Sequence, residues 1–157
     1  MIRLVVVASL LVGCRVSLDS EPAPEGACLV ETTADCVAAV GKSDLPWIEA
    51  NVFNSCTPSG CHGTNPDSAL VLTAGTSHGK LVNVMSSVDP PRKLVVPNDV
   101  NASMLMLMLG HVQPAQATPA ATAIPGPGLM PEGNLKPICC QKLDAIERWI
   151  QNGAPTN

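Results

Sequence analysis

Aromatic residues are almost missing from this sequence: there is no Tyr, and Phe53, Trp47 and Trp149 are the only members of the class among 157 residues. Aromatic rings normally supply the largest buried surfaces of a core. The interior therefore has to be filled by aliphatic side chains, by Met, or by something that is not protein. Charge is scarce too. Lys+Arg 9 against Asp+Glu 13 gives a formal net charge of -4, with charged residues at 14% and no basic cluster. Such a surface cannot neutralise a run of phosphates, which excludes nucleic acid as a partner. Long hydrophobic runs are lacking as well: the longest, Leu4 to Val12, is half of the roughly twenty residues that a membrane-spanning helix requires. There is no G-x-S-x-G, no H-E-x-x-H and no Gly-rich phosphate loop, and the acidic residues are scattered rather than paired. Nothing reads as catalytic, and the chain is not expected to be an enzyme.

What is present in excess is cysteine and proline, with Cys 7 and Pro 15, the composition of a stapled, loop-rich fold in an oxidising compartment. Export is encoded at the start. Met1-Ile2-Arg3 followed by the apolar run to Val12 and Gly13 forms a positive n-region and an h-region, a signal peptide over residues 1–13. Leu11-Val12-Gly13-Cys14 resembles the lipobox of bacterial lipoproteins, which implies that Cys14 is lipidated and becomes the mature N-terminus. Several acyl chains hold a protein to a membrane where one does not. In such lipoproteins a residue other than Asp after the Cys, here Arg15, directs the protein to the outer membrane, facing the periplasm or the cell surface. An ordinary secreted protein with Cys14 in a disulfide is the alternative. Residues 14–27, polar with Pro22 and Pro24, suit a flexible tether, and the length leaves one domain over 28–157.

Within that domain the periodicity predicts helices separated by long irregular loops, an all-α fold. Cys28 to Val40 is a candidate short helix bearing Cys28 and Cys36. Asp44 as N-cap with Pro46 just inside predicts a helix over Leu45 to Asn54, its Trp47, Ile48, Val52 and Phe53 turned inward. Residues 63–80 read as loop with a short extended or helical piece at Leu70-Val71-Leu72. Asn101 or Ser103 can cap a helix from Met104 to Gly110 that is apolar all round and hence buried. Val112 to Gly128 has almost nothing to bury and predicts an exposed loop. The last helix is expected from Lys136-Pro137 to Asn152-Gly153, with Leu143, Ile146 and Ile150 on one stripe and Trp149 flanking it.

The most informative string is Cys56-Thr57-Pro58-Ser59-Gly60-Cys61-His62, directly after a predicted helix. It resembles a c-type haem attachment site in the variant with four residues between the cysteines; the common form has two. The chemistry needs two thiols to make thioethers on one edge of the porphyrin and a His immediately after the second to reach the iron. His62 fits that role. On these residues alone, a small Cys56–Cys61 disulfide loop with an exposed His62 remains an open alternative. The order of further motifs favours haem. Gly128-Leu129-Met130-Pro131 resembles the M-P loop that carries the distal ligand in small class I cytochromes c. Leu143 to Ala154 is similar to the closing helix and W-I-x-x-G-A ending of many bacterial cytochrome domains. Val95-Val96-Pro97-Asn98-Asp99 before Ser103-Met104-Leu105 resembles the V-P-G-D-P-x-x-S-x-L stretch of cytochrome-like envelope lipoproteins.

The resemblance covers about residues 45–154. It implies a class I cytochrome c-like domain with covalent haem c on Cys56 and Cys61, His62 and Met130 as axial iron ligands, and electron transfer as the function. An acidic chain favours a basic redox protein as partner. A haem packed against Val52, Phe53, Leu105, Leu109 and Ile146 would also fill the volume that aromatics leave. Rival ligands are fewer than they look. Met104 and Met108 share a helix face and read as adaptable packing, with Met106 pointing elsewhere; His78 sits in a turn-like setting, and His111 follows Gly110 at a helix end, where an imidazole complements the dipole. With Cys14, Cys56 and Cys61 assigned by resemblance, Cys28, Cys36, Cys139 and Cys140 remain. Adjacent cysteines hardly meet disulfide geometry, so one of Cys28 and Cys36 is expected on Cys139 and the other on Cys140. The alternative function is a haemless, disulfide-stapled envelope lipoprotein serving as a structural or interaction module.

Overall fold

A computed structural model describes residues 28–58, 60–64, 70–132 and 136–157. The expected signal peptide, tether and Cys14 anchor lie outside the described residues. Among those described are five short α-helices, two 3-10 turns, isolated β-bridges and no strand, so the protein is helical and loop-rich. The helices are α1 (Ala34–Val37), α2 (Leu45–Asn51), α3 (Ser77–Leu81), α4 (Met104–Met108) and α5 (Cys140–Gln151).

Helix α2 starts where the sequence places it: the Asp44 carboxylate accepts the Trp47 N–H at 2.9 Å, satisfying one of the orphan donors of the first turn. It ends sooner than Asn54. Asn51 Nδ2 donates to Trp47 O at 2.9 Å and Ser55 Oγ to Val52 O at 2.6 Å, side-chain bonds that compete with the helical ladder. The chain tightens into a 3-10 turn, Phe53–Cys56, with Val52 and Phe53 fully buried.

Helix α1 is one turn, not the longer helix expected from Cys28. The backbone before it is used otherwise. Leu29 O accepts the Cys140 N–H at 3.0 Å, and Glu31 exchanges two bonds with the Gln141 side chain, N–H to Oε1 at 3.2 Å and O from Nε2 at 2.5 Å. This extension is stapled to the start of α5 by Cys28–Cys140 and Cys36–Cys139, the crossed pairing expected. Arg148 adds Nε to Lys42 O at 2.9 Å and Nη2 to Ala39 O at 3.1 Å.

Helix α5 begins at Cys140 rather than near Lys136, because Cys139 stays extended as the N-cap residue. An extended Cys139 beside a helical Cys140 lets neighbouring side chains diverge to two different partners. Leu143, Ile146, Trp149 and Ile150 are all buried. Trp149 belongs to the core and not to its flank, and its Nε1–H is satisfied at 2.7 Å by Pro155 O. Gly153 at φ +90 turns the chain out of the helix, a conformation that glycine adopts without steric cost.

Four departures have causes that the periodicity of the segment does not show. Within 63–80, expected as loop with a short extended or helical piece at Leu70–Leu72, the helix is α3, which starts at Ser77 and is anchored because buried Glu49 accepts Gly75 N–H at 2.9 Å and Ser77 Oγ–H at 2.5 Å. Ser103 stands at the N-cap of α4, yet its hydroxyl donates to Asp99 O at 2.7 Å and accepts Val96 N–H at 2.9 Å, so it does not cap. Helix α4 stops at Met108, two residues early, because His111 and Val112 N–H both turn back to Met106 O at 3.0 and 3.1 Å. The 112–128 segment is only partly exposed: Val112 and Ala117 are buried, and Ala121 and Ile124 pack on the core.

Between α3 and α4 the chain crosses itself without forming a strand. Leu94 N–H donates to Val84 O at 2.8 Å, Met104 N–H to Lys93 O at 3.0 Å and Leu105 N–H to Leu94 O at 2.9 Å. The Val95–Asp99 stretch continues onto α5: Asn98, at φ +64, donates its N–H to Ile150 O at 2.8 Å. The motif it resembles has Gly at this place, and Asn is the other residue that tolerates the left-handed region.

Candidate functional site

The attachment string is held by its own backbone. The 3-10 turn ends at Cys56, whose carbonyl accepts the His62 N–H at 3.0 Å, while Cys61 N–H donates to Pro58 O at 3.0 Å. These two bonds return Cys61 and His62 to the level of Cys56. Gly63 makes this closure feasible, since a Cβ there would lie 2.9 Å from Thr57 O, closer than real Cβ contacts come. His62 is fixed from the far side as well: Leu72 N–H donates to His62 O at 2.8 Å, and His62 Nδ1 lies 3.1 Å from Leu70 O. A ring that donates Nδ1–H to a carbonyl presents Nε2 as its lone-pair nitrogen, the tautomer of a metal-ligating histidine.

Cys56, Cys61 and His62 open onto one cavity of about 830 Å³, and Met130 lines the same cavity. Met130 is delivered by its N–H to Met108 O at 2.8 Å, which ties the 128–131 loop to the end of α4. All five side chains expected to pack against a large apolar group, Val52, Phe53, Leu105, Leu109 and Ile146, are on its wall. The sequence reading missed the rest of the wall, chiefly Leu72, Leu81, Leu94 and Ile138. Of these, only Leu72 had a signal, in the apolar Leu70-Val71-Leu72 island. Ile138 is brought to the wall beside Cys139, whose disulfide fixes it.

Cys56 and Cys61 are free thiols, not the disulfide loop left open by the sequence. Burial pushes the Cys56 thiol up, against a smaller opposing pull from Ser55, and the neighbouring Cys61 adds the least, also upward. At neutral pH it stays S–H, the form least prone to oxidation. Met104 and Met108 also line the cavity and Met106 does not, as their spacing on α4 dictates. His78 and His111 are elsewhere. His78 is neither turn-like nor solvated but half-buried on α3, with Nε2 3.0 Å from Ala154 O. His111 does not cap α4 with its ring but meets Glu147 Oε2 at 2.6 Å. Among the described residues, His62 is the one imidazole on the cavity wall.

One edge of the cavity is polar. Lys80, Ser86 and Ser87 line it, and behind Ser86, whose N–H donates to Arg92 O at 2.8 Å, Arg92 is buried. Its Nε donates to Asp89 Oδ2 at 2.8 Å. Its Nη1 is, among the described residues, the one buried side-chain nitrogen or oxygen without a hydrogen-bond partner, an arrangement that calls for an acceptor. Two thiols and an imidazole at one place, thioether sulfur on the same apolar wall, and Lys80 with two serine hydroxyls along one edge together fit a macrocycle with an iron centre and acidic substituents, although Glu132 lines the cavity as well. No helix among the described residues is long and apolar enough to cross a membrane. Compared with family models, curated proteins and solved structures, the chain matches none.

Proposed function

We propose that this protein is a monohaem c-type cytochrome with a class I cytochrome c-like fold, an electron carrier lipid-anchored through Cys14 in the bacterial envelope, at the outer membrane. The observation that carries the reading is the convergence of Cys56, Cys61, His62 and Met130 on a single apolar cavity of about 830 Å³, at the large end of the range for ligand sites. When bound, haem supplies a one-electron iron couple. Cys56 and Cys61 would hold it covalently, each through a thioether made by addition of S–H to a vinyl group. His62, oriented through Leu70 O, and Met130 would hold the iron, a nitrogen and sulfur set that would raise the potential relative to two histidines. With the iron held by two protein ligands, the role would be transfer and not turnover. The aliphatic wall excludes water, and Lys80, Ser86 and Ser87 would offer donors to the acidic substituents. The acidic chain recruits a basic redox protein, at a rate that falls with salt.

The test is the visible spectrum of the mature protein, oxidised and reduced, followed by acid-acetone extraction. Sharp reduced bands that survive extraction are expected. A colourless product from a host able to attach haem would overturn the reading in favour of a haemless, disulfide-stapled envelope module, which the two clasping disulfides also suit.

A further inference from the structure

Away from the cavity, three metal-ligating side chains converge without a role in anything described so far. We propose that His111, Asp144 and Glu147 form a site for a divalent transition ion, zinc above all. One ligand atom from each lies within 4.8 Å of the others, and none of the three residues lines the haem cavity.

The ligands stand on fixed supports. Asp144 and Glu147 are three residues apart on α5, the longest helix among the described residues, and so share a face. His111 comes from the turn that ends α4, pinned by its N–H to Met106 O at 3.0 Å. His111 Nε2 meets Glu147 Oε2 at 2.6 Å, with side chains 18% and 31% exposed, and Gln151 Nε2 holds the other Glu147 oxygen at 2.8 Å. Gln151 is thus an outer partner that orients a ligating carboxylate. Asp144, half-buried in the same cluster, makes no hydrogen bond or ion pair with any described residue. His111 pairs with Glu147 alone, which leaves Asp144 without a cationic partner among the described residues. A cation resolves that imbalance.

The donor set selects the metal class. One imidazole nitrogen and two carboxylate oxygens suit zinc, which accepts His and Asp/Glu at about 2.0–2.2 Å in a tetrahedron, with water in the fourth position. In such a tetrahedron the ligand atoms are about 3.4 Å apart. The His111–Glu147 contact has to open by less than an ångström, and Asp144 has to swing in, both within side-chain rotation. His111 Nε2 has to offer its lone pair to the ion in place of its contact with Glu147. The bound ion would lock the turn after α4 onto α5, on the side of α5 away from the cavity.

The experiment is calorimetric titration of zinc ions into the full mature protein and into H111Q and D144N. One zinc per chain is expected in the wild type, weakened at least about tenfold in each variant. Cobalt substitution separates this site from the cysteines: nitrogen and oxygen ligands give only weak visible bands, whereas thiolate ligands add an intense charge-transfer band. Melting of the metal-free variants in chelator checks the fold, and E147Q replaces any variant that fails to fold. Unchanged affinity in the variants, no binding at roughly 100 μM zinc, or a thiolate band in the cobalt protein would each overturn the proposal.

Discussion

The two disulfides are separated by 112 and 103 residues in sequence, and taken singly each would restrict the unfolded chain by about 4.7 kcal/mol in the chain-entropy treatment. They are not independent, because their ends are neighbours. Once Cys28–Cys140 has closed, Cys36–Cys139 closes only the small ring that runs from Cys28 to Cys36 and from Cys139 to Cys140. A ring of about eleven residues is worth about 2.8 kcal/mol by the same relation. Removing either bridge alone, as C28A/C140A or as C36A/C139A, should therefore cost about 2.8 kcal/mol. Removing both should cost about 7.5 kcal/mol, roughly 2 kcal/mol more than twice the single cost. That is comparable to the whole stability of a small domain, and the doubly reduced protein should be largely unfolded unless haem holds it. Urea unfolding of the three variants against the parent, followed by circular dichroism at fixed haem content, gives the numbers. Single-bridge losses near 4.7 kcal/mol, or a double loss equal to the sum of two singles, would refute the nested-ring reasoning.

Three other outcomes follow from the geometry. E49A leaves the Gly75 N–H and Ser77 hydroxyl without their buried acceptor and should cost about 3 kcal/mol, with E49Q recovering part of it, read as a shift in urea midpoint. M130A should keep covalent colour, lose the far-red band of iron bound by Met sulfur, shift to a lower potential and gain carbon monoxide binding; an unchanged spectrum would remove Met130 from the iron. In the haem-free protein, Cys56 should be alkylated more slowly than Cys61 at neutral pH. Because its folded pKa is raised, the stability its burial allows is fully present below the ordinary thiol pKa of about 8.5 and is lost as pH rises through the folded value. A C56A protein should lack that alkaline loss, measured by thermal melts across pH.

The parts legible in the sequence were those with short-range causes. Asp44 and Pro46 mark the start of α2 because capping is decided within three residues, and the α5 stripe follows from helical period alone. The crossed pairing of Cys28 and Cys36 with Cys139 and Cys140 follows from the strain of joining neighbours, once the resemblance has set Cys14, Cys56 and Cys61 aside. Illegible were the features set by distant partners: α3 depends on Glu49, twenty-eight residues before Ser77, and the start of α5 depends on the extension that Leu29 and Glu31 lay against it. The loop over 112–128 reads as solvent-exposed by composition, yet Val112 and Ala117 find cover that only the fold provides. At the site, the string Cys56–His62 and Met130 were visible as letters. The His62–Leu70 contact that sets the ring, the Cys56–His62 backbone bond that closes the longer loop, and unsatisfied Arg92 were not, since each is a matter of coordinates.

The central claim is that a haem is joined covalently to Cys56 and Cys61, and the intact mass of the denatured mature protein tests it most directly. Expressed in a host able to attach haem, the chain should carry the mass of one haem, with the addition mapping to the peptide that contains both cysteines and lost in a C56A/C61A variant. A denatured chain with no added mass, whatever colour the folded protein shows, would contradict the account.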